Sequence, residues 1–249
     1  MQQTSHLTRI FRIARIVLHT LLGLAIAALA WPIISKTSKL RLSKWWCKGL
    51  LGCFNIKVHT FGRLPNEATA STMFVANHIS WADIHALNSV IPLRFIAKSE
   101  MSTWPIFGYL VHKSGTLFID RSRRKDAVRI IEMTTKSLQR GENVGFFPEG
   151  TTTEGASILP FKSSIVQAAI NAEAHIWPIA IRYPLPNGGA NTQMAYAGDT
   201  TMRESIFNVL KQKKPVVELH FITPLPALEA DRHALSKAVF VAISNKLNL

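Results

Sequence analysis

No Asp or Glu occurs before Glu67, although the same stretch carries ten Lys and Arg residues. About ten of the fourteen excess positive charges of this 249-residue chain therefore sit on an N-terminal arm. Cysteine is nearly absent. Cys47 and Cys53 lie six residues apart, with no second pair and no histidine cluster to complete a zinc site. That excludes a disulfide framework and leaves both as small apolar residues in a reduced compartment. There is no Gly-x-Ser-x-Gly elbow, no internal repeat and no low-complexity linker. Although 47% of the residues are hydrophobic, only one run is apolar enough to enter a bilayer. The length suits one α/β domain with an N-terminal appendage.

The apolar run, Ile16 to Ile34, is interrupted only by His19 and Thr20. As a helix its nineteen residues would just cross a bilayer. Arg9, Arg12 and Arg15 precede it, and Lys36, Lys39, Arg41, Lys44 and Lys48 follow, so the positive-inside bias gives no orientation. A helix that dips into one leaflet and returns keeps both basic flanks on one side. Pro32, followed by an amphipathic stretch from Leu40 to Phe54, suits that path. A cleaved secretory signal, with Ala28-Leu29-Ala30 as its cleavage site, is the weaker alternative. Trp45 and Trp46 among the basic residues favour anionic lipid headgroups over nucleic acid as the partner of the arm. We therefore expect residues 1–53 to form a membrane anchor and residues 54–249 the globular domain.

Beyond residue 55 short β-rich runs alternate with helical stretches. Strands are expected at Phe54 to His59, Thr72 to Ala76, Arg94 to Ala97, Gly115 to Ile119, Val144 to Phe147, Ile176 to Ile181 and Val216 to Ile222. Helices are expected at Trp81 to Ser89, Trp104 to His112, Lys125 to Arg140, Ser163 to Ala172, Met202 to Gln212 and Asp231 to Lys246. This alternation predicts an α/β fold, a sheet flanked by helices.

Four short blocks carry the chemistry. In Asn77-His78-Ile79-Ser80-Trp81-Ala82-Asp83 a histidine lies five residues before a carboxylate. A carboxylate that fixes the imidazole tautomer makes the histidine a general base for a hydroxyl. On a regular helix that spacing puts the side chains about 140° apart, so His78 must lie in the strand-to-helix turn, with Ser80 as N-cap and Asp83 on the first helical turn. A core histidine beside an ordinary helix-start carboxylate is the bland alternative. The second block, Gly115 to Arg121, ends a strand in an arginine able to hold phosphate or carboxylate bidentately; a solvated basic turn is its alternative. The third, Phe146-Phe147-Pro148-Glu149-Gly150-Thr151-Thr152-Thr153, runs a strand into a hydroxyl-rich loop. Its N–H groups and hydroxyls can bind a headgroup, and Glu149 can accept from a hydroxyl or hold a neighbouring cation; a capped strand-to-helix turn is the alternative. The fourth is Trp177-Pro178-Ile179, where proline in an apolar strand predicts an edge or a bulge.

Taken in order, His-x4-Asp, Gly-Thr-Leu-Phe-Ile-Asp-Arg, Phe-Pro-Glu-Gly-Thr and Pro-Ile resemble the four blocks of the glycerolipid acyltransferase family, across residues 54–185. The resemblance implies the mixed sheet flanked by helices of that family. It also implies transfer of a fatty acyl group from acyl carrier protein or coenzyme A to the hydroxyl of a lysolipid, with no cofactor and no metal. On the same ground His78 is the base and Asp83 its partner; Arg121, Glu149, Gly150, Thr151 and Thr152 shape the acceptor site, with Lys98 and Lys162 at further family positions. Phosphate-acceptor members commonly read Glu-Gly-Thr-Arg-Ser in the third block, whereas Thr152 stands at the arginine position here. With Leu159 to Ser164, this looks like the branch that acylates lyso-ornithine lipid. Lysophosphatidate stays the first expectation, because it is the commoner family substrate and Arg121 is present. The implied location is the inner, cytoplasmic membrane with the site facing the cytosol, and nucleic acid is not expected as a partner. Two rivals of other classes are a non-catalytic basic protein that binds membrane or RNA, and a metal site built on His78, Asp83 and His85.

Overall fold

In a computed structural model, residues 3–66, 68–120, 123–228 and 231–249 are described. Each of the seven expected strands forms, with ends displaced by up to three residues: β1 Lys57–Gly62, β2 Thr72–Ala76, β3 Arg94–Lys98, β4 Leu117–Ile119, β5 Val144–Phe146, β6 His175–Arg182 and β7 Val216–Phe221. A two-residue β8, Leu225–Pro226, is added. The first strand starts late because the preceding helix runs on to Phe54 and ends on Asn55, which takes a left-handed conformation (φ 58°). Asparagine tolerates that C-terminal position better than most residues.

The strands form one sheet in the order β1-β7-β6-β2-β5-β3-β4, parallel throughout except where β6 meets β7 and β8. Pro178 does not mark an edge. It lies in β6, between β2 on one side and β7 and β8 on the other. On that second side β8 pairs with residues 175 and 176 while β7 pairs with residues 179 to 182. The residue without an N–H donor thus falls where the ladder changes partner.

Eight helices cover the sheet among the described residues: α1 His6–Ala25, α2 Lys36–Phe54, α3 Ala82–Val90, α4 Phe107–Lys113, α5 Arg124–Gln139, α6 Val166–Asn171, α7 Met202–Lys211 and α8 Arg232–Leu247. Strand β2 is buried along its whole length, as a central parallel strand should be. Its Phe74 and Ala76 join a core that includes α2, α3 and α7, whereas Met73 and Val75 join one that includes α5, α6 and α8. The period-two alternation of side chains separates the two layers.

The N-terminal helices form a hairpin. α1 starts ten residues before the apolar run, where Ser5 caps it by accepting from Thr8 N–H (3.2 Å). It continues as a π-helical turn over Ile26–Ala30, and Pro32 lies in the reversal to α2. Gly23 and Gly49 let the two helices interlock. A Cβ on Gly23 would stand 2.5 Å from the Trp46 ring, and one on Gly49 would stand 2.5 Å from the His19 ring. His19 Nε2 also meets the Trp46 carbonyl at 2.9 Å. The outer face of α1 leaves Leu7, Phe11, Leu18 and Leu21 exposed. By length and composition His6–Ala30 is the one described helical stretch able to cross a membrane.

The expected boundary at residue 53 runs through the core. Leu50, Leu51 and Phe54 pack in the same cluster as Ala82 and Leu87 of α3. The last turns of α2 are therefore part of the globular body, because burying them against α3 removes apolar surface from water on both helices.

Candidate active site

Strand β2 ends at Ala76, and the turn to α3 carries the first block. Asn77 locks this turn to the end of β6: its Oδ1 accepts from Ile181 N–H (2.7 Å) and its Nδ2 donates to Ile181 C=O (2.9 Å). His78 follows in the turn, its Nδ1 2.8 Å from Asp83 Oδ2. Asp83 is fully buried in the first turn of α3. The same Oδ2 accepts from Ile79 N–H (2.7 Å) and Ser80 N–H (2.9 Å), so the carboxylate bends the turn back around itself. The N-cap role expected of Ser80 passes to Trp81, which makes no side-chain cap bond. Ser80 Oγ still accepts from Ala82 N–H at 3.3 Å.

A carboxylate only accepts hydrogen bonds, so the proton of the His78 ring resides on Nδ1 and the Nε2 lone pair is left available. The ring stacks on Phe147 with centroids 3.9 Å apart and planes 10° apart, and 17% of the side chain stays exposed. Tautomer, orientation and access are therefore all set for accepting a proton at Nε2.

The third block braces this turn. Glu149 is 3% exposed; its Oε1 accepts from His78 N–H (2.7 Å) and its Oε2 from Leu159 N–H (2.8 Å). Burial pushes its carboxyl up from the ordinary range, and the two N–H bonds oppose that shift. Each of its oxygens thus serves a backbone N–H. Gly150 follows in a left-handed turn (φ 78°), a conformation that suits a residue without Cβ. Thr152 donates its hydroxyl to the Tyr196 carbonyl, and Thr153 N–H donates to the His78 carbonyl (2.9 Å). Thr151 is exposed, as are Lys98 at the end of β3 and Lys162, whose N–H donates to the Pro148 carbonyl (3.0 Å). Arg121, the expected phosphate ligand, lies outside the described residues.

His85, two residues beyond Asp83, contacts the hairpin rather than His78. Its Nδ1 lies 3.7 Å from Cys47 Sγ, and its ring meets Trp46 edge-on. Burial pushes His85 down to about 4 and Cys47 up to about 12, so both are neutral at pH 7. They line an apolar cavity of about 150 Å³ between the hairpin, α3, β3 and α4, with Gly23, Ala27, Trp31 and Phe95 also in its wall. Phe95 stacks on Phe147 at 5.6 Å, and Phe147 stacks on His78. One aromatic ring thus separates the cavity wall from the imidazole.

One contact was not anticipated from sequence. Tyr183 Oη donates to Asp83 Oδ1 at 2.6 Å from one hundred residues away. Strand alternation turns Ile181 and Tyr183 inward and leaves Arg182 partly exposed, but alternation alone does not name the partner.

The pattern of the Acyltransferase family matches residues 55–182. A 1-acyl-sn-glycerol-3-phosphate acyltransferase of Neisseria gonorrhoeae is 36% identical over 193 residues, covering 77% of this chain and 75% of that protein. A lyso-ornithine lipid O-acyltransferase of Pseudomonas aeruginosa is 33% identical over 203 residues, covering 82% and 77%. Among solved structures, the 1-acyl-sn-glycerophosphate acyltransferase of Thermotoga maritima matches with a TM-score of 0.67 at 18% identity, over 95% of this chain and 96% of that one. The last comparison speaks for the fold.

Proposed function

This chain belongs to the glycerolipid acyltransferase family, and from that premise we propose that it acylates the hydroxyl of a lysolipid, first of all 1-acyl-sn-glycerol-3-phosphate to give phosphatidate. The observation that carries the reading is the His78–Asp83 pair, held at 2.8 Å, with no hydrogen bond to Nε2 among the described residues. His78 Nε2 takes the acceptor hydroxyl proton while the oxygen attacks the thioester carbonyl carbon. The resulting tetrahedral adduct collapses with cleavage of the C–S bond, and the imidazolium returns its proton to the departing thiolate. Asp83 stabilises the positive ring in between. The step needs no acyl-enzyme and no cofactor; the acyl donor, an acyl carrier protein or coenzyme A thioester, is a substrate.

Two further observations support a lipid acceptor. The apolar cavity one ring away from His78 has the lining an aliphatic chain requires. Both ends of the N-terminal helical stretch also attach to the globular body: Thr4 and Arg12 bond carbonyls at the end of α7, and Tyr109 Oη of α4 donates to the Ala27 carbonyl (3.3 Å). A helix laid along the body, with its apolar face outward, suits an anchor in one leaflet, the cytoplasmic leaflet of the inner membrane in our reading.

A second acceptor, lyso-ornithine lipid, is favoured by Thr152, which bonds the Tyr196 carbonyl where phosphate-acceptor members commonly carry arginine. The deciding measurement is kcat/KM of the detergent-solubilised enzyme on lysophosphatidate and lyso-ornithine lipid in parallel, for wild type and Thr152→Arg. Phosphatidate synthesis is expected to dominate in the wild type. Preference for the ornithine acceptor, reversed by Thr152→Arg, would replace it with the second reading. Acylation of neither by a folded protein would remove the proposal.

A further inference from the structure

The dyad has a third member that the acyl-transfer step does not by itself require. Asp83 is fully buried, and its two oxygens are treated unequally. Oδ2 receives His78 Nδ1–H and the N–H groups of Ile79 and Ser80, while among the described residues the hydrogen bond found at Oδ1 comes from the Tyr183 phenol at 2.6 Å. Tyr183 is itself 3% exposed and sits two residues beyond Ile181, the residue clamped on both sides by the Asn77 amide. Its carbonyl accepts from Asn191 N–H at 2.7 Å, so its backbone is tied on the far side too. The phenol is thus delivered to the carboxylate by the residue that follows β6, whose backbone is tied to the 190s loop.

We propose that Tyr183 is a positioning residue for the reaction: its hydroxyl fixes the rotation of the Asp83 carboxylate and disperses its charge, so that the proton taken from the acceptor is held on the imidazole and returned from there to the leaving thiolate. This inference rests on the reading of His78 as base. Its chemistry follows from placing four hydrogen-bond donors around one buried carboxylate. Each additional donor lowers the affinity of the oxygens for a proton and so weakens their pull on Nδ1–H. Without the phenol, Oδ1 would be an unpaired anionic oxygen at zero exposure, a situation buried charges avoid. The phenol remains a neutral donor, because burial first and the neighbouring Asp83 charge second push Tyr183 well above its usual range.

Other titratable groups bear on the pair. From the loop after β5, Glu149 bonds the His78 N–H and opposes Asp83 electrostatically. From α3 itself, His85 engages Cys47. Neither contributes a hydrogen bond to Asp83 Oδ1.

The test uses the full-length enzyme in detergent and two opposite changes at one hydroxyl. Tyr183→Phe deletes the donor, whereas biosynthetic replacement by a fluorinated tyrosine strengthens it while keeping the ring. With three tyrosines in the chain, replacement is selective once Tyr109 and Tyr196 are changed to Phe. In the Phe variant, Asp83 should pull harder on the imidazolium. The acid limb of the kcat/KM profile is expected to move to higher pH by about half a unit to one unit. Turnover should fall about tenfold with KM nearly unchanged, because the loss is felt in the charged transition state. The fluorinated enzyme should move the limb the other way. A merely structural tyrosine would lower the melting temperature of Tyr183→Phe without displacing the limb.

An NMR titration of the His78 ring, assigned by its loss in His78→Ala, reads the same displacement without turnover. Limbs and ring titration unmoved in both proteins, or moved in the same direction, would overturn the inference. Full activity of His78→Ala would instead overturn the base assignment on which it stands. If Tyr183→Phe does not fold, the fluorinated enzyme alone decides.

Discussion

The turn that carries His78 and the hairpin that carries the apolar face are fastened in opposite ways. Around His78 and Asp83, donors converge from four separate segments: the turn itself, the loop after β5, the end of β6 and the 190s loop, where Tyr196 N–H reaches the Ile79 carbonyl at 2.9 Å. Burial makes each bond costly to lose. The hairpin shows much of its apolar surface outward and is held by a few widely spaced polar contacts and the buried end of α2. A site that must place one ring nitrogen within a few tenths of an ångström is over-determined. An element whose position is shared with a fluid membrane needs only points of attachment.

The sharpest way to break the contrast is at its centre. His78→Ala should lower kcat by about two to four orders of magnitude while leaving thermal unfolding and vesicle association near wild type; steady-state turnover together with a flotation assay checks both. Asp83→Asn should come next. An amide can hold the ring but cannot stabilise its charge, so about three orders of magnitude in turnover are expected, and a burst of thiol release distinguishes slow chemistry from slow product release.

The pH dependence of stability sharpens the border between the two regions, because His85 faces the hairpin from α3. Its folded value is depressed to about 4, so below the ordinary histidine value of 6.5 the unfolded chain binds a proton that the folded one refuses. Stability is thus complete above pH 6.5 and falls as the pH drops toward 4, by up to about 3 kcal/mol, less whatever solvent reaches the ring. Melting curves across that window should show the slope in wild type and a flatter one in His85→Gln; equal slopes would remove the assignment.

At the hairpin itself, Arg12 is buried and donates to the carbonyls of Leu210 (3.3 Å), Gln212 (2.7 Å) and Lys213 (2.7 Å) at the end of α7. Arg12→Met should cost about 2 kcal/mol, seen as a lower Tm and faster hydrogen exchange at the N-terminal helix, without moving kcat of the folded fraction. The smallest effect is expected at Lys36, whose ammonium is mostly exposed and lies 3.1 Å from Glu142. Lys36→Ala should cost at most about 0.5 kcal/mol and vanish in high salt. A larger loss in salt-resistant form would mean that the hairpin, too, depends on single contacts.

Much of this was legible in the sequence for identifiable reasons. Strands and helices followed from periodicity because the central strands are buried on both faces and the outer helices on one. His78 and Asp83 are five residues apart, so their meeting is a local property of one turn. What was not legible involves distant partners. The His78 and Leu159 amides that bond Glu149 lie 71 residues before it and 10 after it. Pro178 suggested an edge because a change of ladder partner leaves no mark in the strand that undergoes it. His19 interrupted an apolar run with no visible purpose until Trp46 and Gly49 were set against it.

The attachment of α1 to α7 also has a consequence for the order of assembly on the ribosome. Thr4 and Arg12 bond Leu210, Lys211, Gln212 and Lys213, about two hundred positions later in the chain. At about 5 to 20 residues per second, roughly 10 to 40 s separate the emergence of the two partners. Throughout that interval α1 can pack on α2, made soon after it, but the surface that holds its N-terminal end does not yet exist. Docking of Arg12 onto the end of α7 is therefore a late step, possible only after the chain has been made past Lys213.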